Sequence, residues 1–450
     1  MNFGPDRMQK PVQLRSSVSQ NYFEEWELRG DCSMLNLMQI NAQFFRVLLG
    51  IALVCLLVDP SWAQRQFVFV TGIPPLRDGA HAGADFDGDG DEDVFVSGRA
   101  EDGTLHTVLY KFLRRRVVQL GPLAKPEVYA DYQQVPFFKT SVMKGSVTWH
   151  DMNGDSRPDL VVTGLSISGY TSDNEEILAP TTSIYLNEGS EDFGIVPNHG
   201  LPGVYNSKVA AGDFNGDGFQ DLVIGGQSAT GPVLNVWLGD RLQRFVSGPT
   251  SFSGVQPSSI SAADIDRDND LDFIVAGVDA VGNASIKLFV NDGNAQFTEA
   301  ETSLPNLFFG GTAFGDVDFD GDPDLLINGG HLDPVFMRGE TSLFINDGAG
   351  HFSKAQTNFK GLYGGGVSLI DLDRDTDADV FSWGIESLNQ IGSEQITVSE
   401  NIDAYFLPIG SAPSILNGSV AWFDYDGNGR KDAFLAGDRD GVRSMFIYEF

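Results

Sequence analysis

An all-β fold built from repeated four-stranded antiparallel units is what this sequence predicts, on three observations. A nine-residue acidic pattern recurs at a near-constant period. Short β-rich runs bracket each copy, and the last unit lacks a strand that the first has to spare. A fixed period of tens of residues marks a repeat architecture.

The pattern is D-x-[DN]-x-[DN]-x-x-x-D, found seven times, with steps of 66, 62, 51, 52, 55 and 53 residues between first aspartates. At positions 1, 3, 5, 7 and 9 the first copy, 85–93, presents Asp85, Asp87, Asp89, Asp91 and Asp93. The second, 151–159, presents Asp151, Asn153, Asp155, Arg157 and Asp159; the third, 213–221, presents Asp213, Asn215, Asp217, Phe219 and Asp221. The fourth, 264–272, has Asp264, Asp266, Asp268, Asp270 and Asp272; the fifth, 316–324, has Asp316, Asp318, Asp320, Asp322 and Asp324. The sixth, 371–379, has Asp371, Asp373, Asp375, Asp377 and Asp379; the seventh, 424–432, has Asp424, Asp426, Asn428, Arg430 and Asp432.

Each copy is followed by a short β-rich run ending near glycine, such as DLVIGG (221–226), and preceded by another, such as GSVTW (145–149). The acidic loop therefore joins two strands of a hairpin. A third strand follows a variable connection, as in SIKLFVND (285–292), and a fourth begins at the Phe after an Asn-Asp-Gly turn, as in NDGNAQF (291–297). Four antiparallel strands per unit, repeated radially, make a seven-bladed β-propeller. After the seventh motif only DAFLAG and RSMFIYEF remain, one strand short, whereas QFVFVTGIPPL (66–76) stands ahead of the first motif. The expected ring is closed by the N-terminal strand, residues 66–70, joining the last blade and removing an exposed edge.

The chain before this point reads differently. VLLGIALVCLLV (47–58) is an apolar run of twelve, too short to span a bilayer. Arg46 precedes it and Ser61-Trp62-Ala63 follows, the pattern of a secretory signal cleaved after Ala63. The alternatives are a buried helix or an uncleaved anchor. The expected division is an upstream segment at 1–37, ahead of the true start, a signal peptide at 38–63, and the propeller over 64–450. Both cysteines, Cys32 and Cys55, fall in the leader, so the mature chain is without disulfides, and a secreted protein then needs another staple. The expected location is secreted, extracellular or periplasmic, with no transmembrane segment in the mature chain. A formal net charge of −33 argues against nucleic acid or an anionic membrane as partner.

That charge is concentrated in the seven loops, and hard-cation chemistry explains why. Ca²⁺ takes six to eight oxygens at about 2.3–2.6 Å. In a tight loop positions 1, 3 and 5 turn side-chain oxygens inward, position 7 adds its carbonyl, and position 9 closes the shell. Up to seven Ca²⁺ ions are expected. The competing reading is an Asp/Gly-rich hairpin turn without metal. Position 6 must turn sharply, which suits Gly90, Gly218, Gly321 and Gly429 and is tolerable for Asn269. Ser156 is less comfortable there, and Thr376 would store strain. The loop is not an EF-hand, since residue 96, at position 12, is Val rather than Glu.

Seven such motifs on β-hairpins resemble the FG-GAP/VCBS repeat family, of which the integrin α-subunit propellers are members; the likeness spans about residues 66–450. The resemblance implies calcium loops between the first and second strands of each blade, on one face, and ligand contacts on the other. This chain departs from integrins in carrying the motif in every blade and in having no leg domains.

The function expected is a binding or adhesion module for a glycan or an extracellular protein, with structural calcium. Aromatics outside the loops (Tyr129, Tyr132, Phe137, Phe138, Phe308, Phe309, Tyr363) either stack on such a ligand or fill gaps between blades. The alternative is a calcium-dependent, lyase-like polysaccharide-processing enzyme, whose base would come from Lys125, Lys139, Lys144 or Tyr132. A module within a larger surface assembly is a third reading.

Overall fold

The computed structural model describes residues 66–450, apart from 120–125, 136–139, 190, 254, 333–336, 387–393, 403, 414 and 440–441. The expected leader and its signal peptide lie outside the described residues, as do Phe137, Phe138, Lys125 and Lys139. Among the described residues every regular element is a strand.

The repeat unit is plainest in the third sheet. Tyr205–Gly212, Asp221–Ser228, Gly231–Gly239 and Phe245–Ser247 pair in that order, each antiparallel to the next. The fourth sheet repeats it with Val255–Ala263, Asp272–Asp279, Ala284–Val290 and Thr298–Glu299. The fifth uses Thr312–Gly315, Asp324–Leu332, Met337–Asn346 and Phe352–Lys354, and the sixth Tyr363–Ile370, Asp379–Ile385, Glu394–Ile402 and Tyr405–Pro413. In the second sheet the first strand is broken into Val142–Met143 and Val147–His150, both paired to Asp159–Tyr170. Between them Lys144 is left-handed, at φ 53°.

The ends of the chain meet in one eight-stranded sheet. Gln66–Thr71 pairs antiparallel with Val442–Glu449, placing Val68 opposite Ile447, so the N-terminal strand supplies the strand the last unit lacks. The expectation of separate four-stranded units fails here in one respect. Gln66–Thr71 also pairs in parallel with Glu127–Val135, fusing the first and last units. The cause is the long third strand Leu105–Val118, whose bulge between Phe112 and Arg114 redirects it. Arg115 then reaches Glu449 at 2.7 Å and the Tyr425 hydroxyl at 2.9 Å across the junction.

Second strands read as continuous apolar runs because both of their faces are buried. In Asp221–Ser228, Leu222 and Ile224 pack toward the second sheet while Val223 packs toward the fourth. Each of seven apolar cores thus lies between consecutive units. The cluster of Val94, Val96 and Val108 with Phe423, Phe434 and Ile447 joins the first unit to the last. Tyr132 and Tyr363 are part of this buried material, at 6% and 3% exposure, so of the candidate aromatics these two fill gaps. Phe309 is 59% exposed.

Candidate metal centres

Each acidic loop links the first strand of its unit to the second, as at 213–221 between Tyr205–Gly212 and Asp221–Ser228. The loop closes first upon itself. The position 1 carboxylate accepts the N–H of position 6 in every loop, for example Gly90 to Asp85 at 3.0 Å and Asn269 to Asp264 at 3.0 Å. Position 6 is left-handed throughout, including Ser156 at φ 68° and Thr376 at φ 83°. Position 4 is left-handed as well, which sequence reasoning missed. It is glycine in four loops, but Arg267, Phe319 and Arg374 adopt φ of 62°, 62° and 72°.

Position 9 has a second task. It is fully buried in all seven loops. In the five loops from 151 to 379 one of its oxygens accepts the position 2 N–H and the other accepts an N–H at the end of the third strand. In the 264–272 loop these are Ile265 to Asp272 at 3.0 Å and Asn291 to Asp272 at 2.7 Å. Asp93 accepts the N–H of Phe112, at the bulge within the third strand, and Asp432 accepts the N–H of Phe450, while the Oδ2 atom of each is buried. Burial, opposed by these hydrogen bonds, pushes Asp93 and Asp432 up to about 8, Asp272 and Asp379 to about 7, and Asp159, Asp221 and Asp324 to about 6.

Five loops bring three carboxylates together with oxygens within 4.8 Å of one another: Asp85, Asp87 and Asp93; Asp264, Asp266 and Asp272; Asp316, Asp318 and Asp320; Asp371, Asp373 and Asp379; Asp424, Asp426 and Asp432. A donor set of closely spaced carboxylate oxygens suits a hard cation. The test of fit is whether those oxygens are already satisfied, and several are not. Oδ1 of Asp264, Asp266, Asp270, Asp316, Asp318 and Asp377 is buried with no hydrogen-bond partner. Orphaned acceptors of this kind cost free energy unless a ligand meets them. These acidic clusters can therefore hold metal ions. Asp270 and Asp377 belong to position 7, for which the sequence reading invoked only a carbonyl; burial first, then the neighbouring carboxylates, raises them to about 7 and about 8.

The loops at 151–159 and 213–221 do not form such a cluster among the described residues. Both carry Asn rather than Asp at position 3, one carboxylate fewer; the Asn153 amide donates to Asp155 at 3.1 Å, and the Asn215 amide donates to Asp217 at 2.9 Å. Arg157 adds a cation, with Nη2 at 2.5 Å from Asp155. In the first loop Lys111 contacts Asp87 and lies 2.8 Å from Asp89, and Arg267 reaches from the fourth loop to Asp322 of the fifth.

A profile of the FG-GAP-like repeat matches residues 151–224 and 213–275. No curated protein sequence matches the chain. Among solved structures, a fucose-specific lectin from Aleuria aurantia superposes with TM-score 0.38 at 12% identity, covering 75% of this chain and 98% of its own. A protein described as an exo-beta-1,3-galactanase from Bifidobacterium bifidum s17 gives TM-score 0.31 at 12% identity, covering 66% and 89%. At these scores the likeness bears on neither the fold nor the ligand of this chain. The profile match covers residues 151–275, which hold three of the seven acidic loops, and over that stretch the chain is similar to FG-GAP-like repeats.

Proposed function

We propose that this chain is a secreted, calcium-stabilised β-propeller of seven blades that binds a glycan or a protein partner. The observation that carries the calcium reading is the set of buried carboxylate oxygens left without partners in loops of FG-GAP type. Support for the closed ring comes from the seven cores between consecutive units and from the pairing of Gln66–Thr71 with Val442–Glu449. Support for secretion is the apolar run at 47–58 with Ser61-Trp62-Ala63 behind it, and the millimolar calcium found outside cells.

At about 1 mM calcium and a Kd of about 0.1 mM each occupied site contributes about 1.4 kcal/mol, enough in aggregate to decide folding. Binding belongs at the strand ends away from the acidic loops, where a polar cavity lies between first strands. Of the residues named as a base for the alternative, a calcium-dependent polysaccharide-processing enzyme, Tyr132 is buried against Phe112, whereas Lys144 lines this cavity.

The test is calorimetric titration of the chelator-stripped full chain with Ca²⁺, with thermal melts before and after. Uptake of several ions and a marked rise in melting temperature are expected. A melt indifferent to chelator would remove calcium from the proposal, and screening the loaded protein for released sugars separates binding from turnover.

A further inference from the structure

The cavity on the face away from the acidic loops has an electrostatic character opposed to the rest of the molecule. It encloses about 420 Å³, within the usual range for small-ligand sites. Its walls come from the beginnings of first strands in five units, at Asp78–His81, Lys144–Val147, Asn206–Lys208, Pro257 and Gly418–Val420. In a chain of formal charge −33 it presents two lysines and one aspartate, and Asp78 has Arg77 4.0 Å away.

Lys208 is half-buried, and burial lowers its amine below the ordinary lysine range. Among the described residues no carboxylate pairs with it, nor with Lys144. A desolvated ammonium without a counter-ion is costly unless an anion arrives. The backbone around it is strained too: Asp78, Lys144 and Asn206 are left-handed, at φ 50°, 53° and 44°. Such strain in non-glycine residues clusters at ligand sites.

One neighbouring hydroxyl has fixed polarity. The carbonyl of Phe434 can only accept, so His81 Nε2 donates to it at 3.2 Å and Nδ1 must accept the Ser419 hydroxyl at 2.7 Å. The Thr163 hydroxyl has one proton, for either the Ser146 carbonyl at 3.1 Å or the Ser207 hydroxyl at 2.7 Å, and Ser207 is itself buried. Ser419 has therefore spent its proton within the wall, and what remains on it is a lone pair.

A complementary ligand brings a hydroxyl proton for Ser419 and a negative charge for the lysines. We propose that this cavity binds the carboxylate and hydroxyls of an acidic sugar, a uronic acid residue, with Lys208 as the anion partner. The inference rests on the binding reading above and names its ligand class and its site. Neutral sugars satisfy Ser419 but leave Lys208 unpaired. A simple carboxylate does the reverse.

The experiment is calorimetric titration of the calcium-loaded full chain with sodium glucuronate and galacturonate, against glucose, galactose, acetate and an acidic peptide. A uronate should bind at least tenfold more tightly than its neutral counterpart. Lys208→Met should lose at least tenfold of that affinity while melting at or above the wild-type temperature, because it removes an unpaired charge. Lys208→Arg, which keeps the charge, should retain binding if Lys208→Met fails to fold. Equal affinity for glucose and glucuronate, unchanged affinity in Lys208→Met, or binding of the peptide but not the uronates would each overturn the inference. Neutral glycans binding without a uronate preference would leave the broader binding function standing.

Discussion

Thr376 is the residue most at odds with its backbone. A β-branched side chain at φ 83° occupies a region that costs an L-residue about 1–2 kcal/mol. The 264–272 loop solves the same turn with Asn269 at φ 69°. Thr376→Asn should therefore raise stability by about 1 kcal/mol in urea denaturation. Position 9 makes a contrasting case. Asp272→Ala strands the Ile265 and Asn291 N–H groups, both buried, and should cost at least about 2 kcal/mol with or without calcium. Asp268 is exposed, and Asp268→Ala should change stability by less than about 0.5 kcal/mol in chelator while abolishing the increment that calcium adds in that loop. Denaturation of both variants with and without calcium separates the fold's carboxylates from the metal's. The sequence marked position 9 as a ligand but could not disclose its buried hydrogen bonds, because one donor to Asp272 is a backbone N–H of its own loop and the other, from Asn291, lies 19 residues downstream.

Between elements, a single asparagine stitches four of the units to the one before. At the end of the third strand Asn291 donates through Nδ2 to the Phe214 carbonyl at 2.8 Å, inside the preceding acidic loop, while its own N–H holds Asp272. Asn187, Asn346 and Asn401 do the same toward Phe86, Ile265 and Val317. Asn291→Ala should cost about 1 kcal/mol, since it removes a buried hydrogen bond across the seam and leaves the Phe214 carbonyl with the Ala295 N–H alone, and native-state hydrogen exchange should report the loss at the edges of both sheets. The Asn-Asp-Gly run was legible as a turn; that its first residue also bonds the neighbouring unit was not, because a turn signal is local and the partner lies roughly 80 residues earlier.

At the scale of the molecule, the first and last units meet through more than the terminal strand. His81, 8% exposed, sits between the Phe434 carbonyl and the Ser419 hydroxyl of the last unit. Burial, with the Lys208 charge adding to it, pushes its imidazole from 6.5 down to about 4. The unfolded chain therefore takes up the proton first as pH falls. This stabilisation is intact above about pH 6.5 and is lost progressively toward pH 4, by about 3 kcal/mol. In His81→Asn the corresponding slope should vanish, so the stability gap between wild type and variant should narrow by that amount over pH 6.5 to 4. A constant gap would show that His81 titrates normally.

The sequence by itself determined the repeat, the hairpin carrying each acidic loop, the left-handed turn at position 6 and the strand that the last unit borrows from the N-terminus. All of these rest on short-range pattern: ligand spacing, period-two apolarity and turn residues. Tertiary structure decided which loops converge, because an Asn at position 3 can serve a metal or a neighbouring aspartate, and only the surrounding donors choose. It decided that Tyr132 and Tyr363 are core, that a bulged strand of fourteen residues fuses the first and last sheets, and that Lys208 faces a polar cavity with no carboxylate paired to it among the described residues. Each depends on groups brought together from distant repeats, where burial and pairing set the energy and sequence spacing carries no record of it.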